Sequence, residues 1–212
     1  MKKSAQKHVG ILVAIKPPEI VNKNIIKSRQ YINKANGLVI YGNSDAHITL
    51  FVNSYKNFSE ADKLISAIAA KHKAFAAKID GLFDFAKDPI NKTHTIVYKV
   101  AASAQLRRLQ KDITNKLNKI RTDYQEKSMI EKKLYANEQE RKNILKYGFP
   151  FGPEKWTFHA TIGSIKANKF KSAWQHAQRY NLQKKWRVDS IGVYIYLGTD
   201  GFVLFKEYAL KK

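Results

Sequence analysis

The 212-residue chain carries 39 Lys and Arg against 17 Asp and Glu, a formal net charge of +22. That balance points to a polyanion, nucleic acid first, while a hydrophobic content of 44% argues against global disorder. The lack of cysteine excludes disulfides and thiolate zinc sites, and no apolar run approaches the roughly 18 residues of a membrane-spanning helix.

In chain order, Val9–Ile15 is a short apolar run closed by Pro17-Pro18 and predicts a buried strand. Its basic start faintly mimics a signal peptide, but prolines stand where a small-residue cleavage site belongs. The spacing of Ile20, Ile25, Ile26 and Ile32 predicts a helix from Glu19 to Ala35, closed by Asn36-Gly37. Leu38–Tyr41 reads as a short second strand and His47–Val52 as another. Ser59 is the expected cap of a helix carrying Leu64, Ile65, Ile68 and Ala69 on one face. Phe75–Phe85 and His94–Val100 are expected strands, followed by a helix from near Ser103 with Leu106, Leu109, Ile113 and Leu117 aligned.

Residues 121–147 are rich in Lys, Glu, Gln and Asn, and free of Gly and Pro. They predict an exposed helix or helical hairpin, read as an insertion. Gly148–Pro153 stops it. A strand is expected over Trp156–Gly163, a helix over Asn168–Tyr180, and one alternating strand over Trp186–Leu197. A turn at 198–201 leads to a last strand, Phe202–Leu210. Each half thus holds one His-x-Thr strand flanked by helices. The expected fold is α+β: a single bilobal, pseudo-symmetric domain over 1–212, antiparallel sheets lining a central cleft, helices outside.

His47-Ile48-Thr49-Leu50 and His159-Ala160-Thr161-Ile162 carry the chemistry. Residues i and i+2 of a strand share a face, so each motif offers an imidazole beside a hydroxyl, with the intervening apolar residues pointing into the core. A lone strand histidine is most often structural; two matched motifs in matching halves are not so easily explained. Converging on one groove, they could hold a phosphodiester. One histidine would take a proton from water and the other give one to the departing oxygen, with the threonines steadying the phosphate oxygens. Which histidine is acid and which base stays open. His8, His72, His94 and His176 lack the motif and read as structural or surface residues. No carboxylate cluster is spaced for a metal, and neither metal nor cofactor is expected.

With these residues in place, the chain resembles the two-histidine phosphoesterase superfamily, in particular the 2′–5′ RNA ligase-like and RNA 2′,3′-cyclic phosphodiesterase group. The resemblance implies a bilobal fold with both motifs lining one cleft. It implies catalytic roles for His47 and His159, and phosphate binding by Thr49 and Thr161. The implied reaction opens terminal 2′,3′-cyclic phosphates of RNA, or reversibly joins RNA through 2′–5′ linkages. Where many relatives have Pro before the second histidine and Arg after the motif, this chain has Phe158, then Gly163-Ser164, with Lys166 the nearest cation. Phe51, Tyr41, Trp156 and Lys166 are expected to line the groove, Phe51 as a base-stacking surface.

The expected partner is RNA, or a nucleotide ending in a cyclic phosphate. No membrane partner is expected, and the protein reads as a cytoplasmic monomer. Two alternatives stand beside this reading. One is a non-catalytic RNA-binding module on the same fold, indifferent to loss of both histidines. The other is a 3′-trimming exonuclease or nucleotide cyclic phosphodiesterase, separable by its dependence on substrate length.

Overall fold

The computed structural model describes residues 8–36, 45–88, 93–198 and 201–212. The strand expected over Leu38–Tyr41, with Tyr41 itself, lies outside them. The first half runs β1 (Val9–Ile15), α1 (Glu19–Asn36), β2 (Ile48–Tyr55), α2 (Phe58–Ala69) and β3 (Phe75–Asp88). The second begins with β4 (Thr93–Val100), α3 (Ala104–Leu117), α4 (Tyr124–Glu131) and α5 (Glu138–Tyr147). It continues with β5 (His159–Ile165), α6 (Ala167–Gln178), β6 (Lys184–Val188), β7 (Ser190–Tyr196) and β8 (Phe202–Ala209). No helix among the described residues is long and apolar enough to cross a membrane.

All eight strands form one antiparallel sheet, ordered β6-β3-β4-β5-β2-β1-β7-β8. The order is symmetric about the β5–β2 seam: β4 matches β1, β3 matches β7 and β6 matches β8. The halves are interleaved, because β3 ends the first half of the chain yet pairs with β4. Helix packing follows the same symmetry, α1 lying behind β5 and α3 behind β2. A continuous apolar core fills the space between helices and sheet, from Ile11, Ile48 and Leu50 to Tyr98, Ala160 and Ile162. The opposite face carries a small cluster of Leu12, Ala14 and Tyr194, with Val52, Phe202 and Leu204 against it.

The strand expected over Trp186–Leu197 is two strands. β6 pairs with β3 at one edge of the sheet, and β7 pairs with β1 and β8 near the other. Only Asp189 separates them, a span of about 7 Å. The far ends of the sheet must therefore meet at Asp189, which curls it into a half-barrel with a concave face. The Asp189 carbonyl accepts from Leu210 N–H at 2.7 Å and fixes the junction. The apolar alternation shifts phase at this point, from Trp186 and Val188 to Ile191, Val193 and Ile195, and the break lies in that shift.

Two smaller expectations shift. Helix α2 is capped by Asn57, whose side-chain oxygen accepts from Ser59 N–H at 2.9 Å, rather than by Ser59. The 121–147 segment is the α4–α5 hairpin, and it is anchored as well as exposed. Ile144 is fully buried, and Asn53, also fully buried, donates to the Tyr147 carbonyl at 2.9 Å. Arg121 donates to Asn118, Glu126 and the Leu145 carbonyl. Gly148 ends α5 in the left-handed region, φ 73°, where a Cβ would also collide with the Asn53 side chain.

Candidate active site

The seam between β5 and β2 is held by a single register pair, Ile48 with Ala160, both fully buried on the core face. Antiparallel register then sets His47 beside Thr161 and Thr49 beside His159, on the concave face. Along a strand, residues two apart are about 7 Å apart; across a pair, about 5 Å. The four side chains therefore mark a rectangle with the histidines at opposite corners and the threonines at the other two. All four are partly exposed. His159 opens β5, whereas His47 lies one residue before β2, so only the second motif is wholly within its strand.

The two imidazoles are oriented by the same device. His47 Nδ1 lies 2.6 Å from the Asp45 carbonyl, and His159 Nδ1 lies 2.8 Å from that of Thr157. A carbonyl only accepts, so Nδ1 carries the proton in both rings and Nε2 is the atom that exchanges one. The carbonyl comes each time from the residue two positions earlier. The Asp45 carboxylate in turn accepts from Leu204 N–H of β8 at 3.2 Å, tying this turn across the sheet. Aromatic neighbours also match: Tyr194 of β7 lies 5.4 Å from the His47 ring, and Phe85 of β3 lies 4.9 Å from the His159 ring. Phe202 adds an edge to His47 at 6.5 Å.

Desolvation pushes the His47 imidazole down to about 4. The hydrogen bond to Asp45 opposes this, and the positive Arg29 guanidinium and the His159 ring reinforce it. Arg29, missed at the level of sequence, rises from α1 behind the seam. Its Nε donates to the Ile162 carbonyl at 2.9 Å and its Nη2 to that of Thr161 at 3.0 Å. The β4–β5 register slips between Ile96 and Val97, so Ile162 falls at a bulge. Arg29 satisfies carbonyls there, and burial lowers its own pKa to about 10.

Three groove expectations are corrected. A register slip between Val13 and Ala14 puts Leu50 in a bulge, and Phe51 turns from the face of Thr49 into the helix-covered core, 3% exposed. Trp156 is also in that core; its Nε1 donates to the Thr49 carbonyl at 3.0 Å, fixing the motif strand from behind. Lys166 follows the end of β5, about 20 Å along the strand from His159, beyond the reach of a lysine side chain. The other histidines have structural surroundings: His72 pairs with Asp112, His94 with Asp84, His176 stacks on Tyr31 and His8 on Tyr124. Among the described residues, no cluster of three or more His, Asp or Glu could hold a metal ion.

Residues 17–200 match the sequence profile of the 2′-5′ RNA ligase superfamily. Among solved structures, the protein TT0787 of Thermus thermophilus is similar at 15% identity and a TM-score of 0.60, covering 95% of this chain and 97% of that one. E. coli LigT, solved in complex with 3′-AMP, is similar at 13% identity and a TM-score of 0.55, covering 97% of this chain and 100% of its own. At these identities the likeness establishes the fold. No curated protein sequence matches the chain.

Proposed function

Since the chain belongs to the 2′-5′ RNA ligase superfamily, a phosphoesterase- or ligase-type enzyme, we propose that it opens terminal 2′,3′-cyclic phosphates of RNA without a metal, with His47 as base and His159 as acid. The observation that carries this reading is the diagonal placement of the two histidines about the β5–β2 seam. In-line displacement at phosphorus needs a base on the attacking side and an acid on the leaving side, and opposite corners of one rectangle supply both.

A water held by His47 Nε2 attacks phosphorus and gives its proton to that nitrogen. As the new P–O bond forms, the P–O3′ bond breaks, and His159 Nε2–H protonates O3′, leaving a 2′-phosphate. The assignment of base to His47 rests on its desolvated setting beside Arg29, which keeps it neutral down to about pH 4. Thr49 and Thr161, at the remaining corners, donate to the non-bridging oxygens as charge builds. With an RNA 5′-hydroxyl in place of water, the same proton transfers form a 2′–5′ linkage. Binding of 3′-AMP by LigT agrees with a nucleotide phosphate in this cleft.

The test is incubation with an oligoribonucleotide ending in a 2′,3′-cyclic phosphate, in the presence of a chelator, with the product's phosphate position read by mass spectrometry after selective phosphatase treatment. A 2′-phosphate is expected. No opening, or opening abolished by the chelator, overturns the proposal.

A further inference from the structure

The register that builds the rectangle also extends it outward. β4 pairs with β5 so that Lys99 stands directly opposite His159. Tyr98 and Val100 on either side of it are buried in the core. Lys99 therefore projects from the concave face, as do His159 and Thr161, and it is exposed. On the other side of the seam, β1 pairs with β2 through Ile15 and Ile48. Both strands end at this pair; the next residues outward are Lys16, also exposed, and His47, which the same register carried one step further would set side by side.

Reading outward from the seam gives two rows. The first runs Lys99, His159, Thr49, Ala14; the second runs Lys16, His47, Thr161, Val97. Each row is lysine, histidine, threonine and a small apolar residue, in opposite directions. The pseudo-twofold axis thus relates two cations as well as the two motifs.

The Lys99 ammonium sits 5.2 Å from the centre of the Phe83 ring, and among the described residues no carboxylate pairs with it. Two acids of the neighbouring strand are engaged elsewhere: Asp80 with Lys78, and Asp84 with His94. A weak hold on an exposed aromatic face leaves the ammonium available for an anion. In the structure the ammonium leans outward over the Phe83 ring of β3. The Lys99 Cβ is only about 5 Å from that of the histidine one strand in, so a change of side-chain rotamer is enough to carry the ammonium inward to a phosphate at the rectangle.

We propose that Lys99 and Lys16 are the phosphate-holding cations of this site, one beside each histidine, contacting the non-bridging oxygens of a nucleotide's terminal phosphate. The assignment rests on the phosphoesterase reading of the same cleft. It supplies the cation that the residues after the second motif lack.

The experiment pairs binding with turnover. Isothermal titration of the full chain with 3′-AMP and with adenosine is compared for wild type, Lys99→Met, Lys99→Arg, Lys16→Met and the double Met variant. Opening of a 2′,3′-cyclic phosphate end is measured on the same proteins. Loss of a charged hydrogen bond should weaken 3′-AMP binding by about ten- to hundredfold in Lys99→Met, with substantial recovery in Lys99→Arg and adenosine binding unmoved. The double Met variant should be weaker than either single variant. Equal binding of 3′-AMP by wild type and the double Met variant overturns the proposal, as does absence of 3′-AMP binding by wild type. If no protein turns over the cyclic phosphate while 3′-AMP binding still depends on Lys99, the reaction assigned above fails and the anion site stands.

Discussion

His47 and His159 share one backbone hydrogen bond and one cross-strand threonine, yet their surroundings differ. His159 is the first residue of its strand, between Thr49 and Lys99, with the Phe85 ring at its side. His47 lies in a turn before its strand, beneath Tyr194 and Phe202 and near the buried Arg29. The frame orients both rings alike, whereas the setting makes one a poor proton carrier at neutral pH. The symmetric sheet supplies two equivalent positions, and in the proposed reaction local desolvation separates their roles.

Removing each ring in turn should have the largest effect. His47→Ala and His159→Ala should each slow cyclic-phosphate opening by about 10²–10⁴-fold, and the double variant should be little worse than the poorer single one. Single-turnover rates on folded protein decide this; near-normal turnover in either variant removes it from the pair. Arg29→Met should come next. It strips one buried and one part-buried carbonyl of their donor, at a cost of roughly 2–4 kcal/mol in urea unfolding, and should raise the His47 pKa seen by NMR. An unchanged His47 titration would detach Arg29 from the site's electrostatics.

In the proposed reaction neutral His47 is the competent form, so kcat/KM should hold down to about pH 4 and fall about tenfold per unit below it. The unfolded chain takes up this proton near 6.5 while the folded chain resists until about 4, so stability should also decline as pH falls through that window. An acid limb near 6.5 that His47→Ala leaves in place would reverse the assignment of base and acid. The smallest effects should come from Thr49→Val and Thr161→Val, about five- to tenfold each in rate, because one hydrogen bond is lost and both proton transfers remain. A loss as large as that of the histidine variants would give the threonines more than a holding role.

What the sequence made legible follows from local periodicity. Two-residue alternation placed His and Thr on one face and Ile48, Leu50, Ala160 and Ile162 in the core, as the structure has them. The doubling of the motif pointed to a symmetric sheet. What stayed hidden depends on partners far away in the chain. One bulge turned Phe51 inward, which alternation within its own strand cannot foresee. Arg29 and Lys99 gain meaning only from the strands they face, and the phase shift around Asp189 does not by itself say that the chain passes between sheet edges there. Trp156, expected in the groove, lies in the core and holds the Thr49 carbonyl from behind the motif strand.

The interleaving of the two halves bears on how the protein is made. β1 lies between β2 and β7, with Ile11 opposite Ile195, so one side of this apolar strand has no partner until nearly the whole described chain exists. Pairings of such sequence separation are slow to form, since a long loop must close before they add stability. During synthesis, the edge that β7 will cover stays open to other chains. Pulse-labelled hydrogen exchange should therefore find the β1–β7 ladder among the last protected, well after the β3–β4 hairpin, whose strands are near neighbours in the chain.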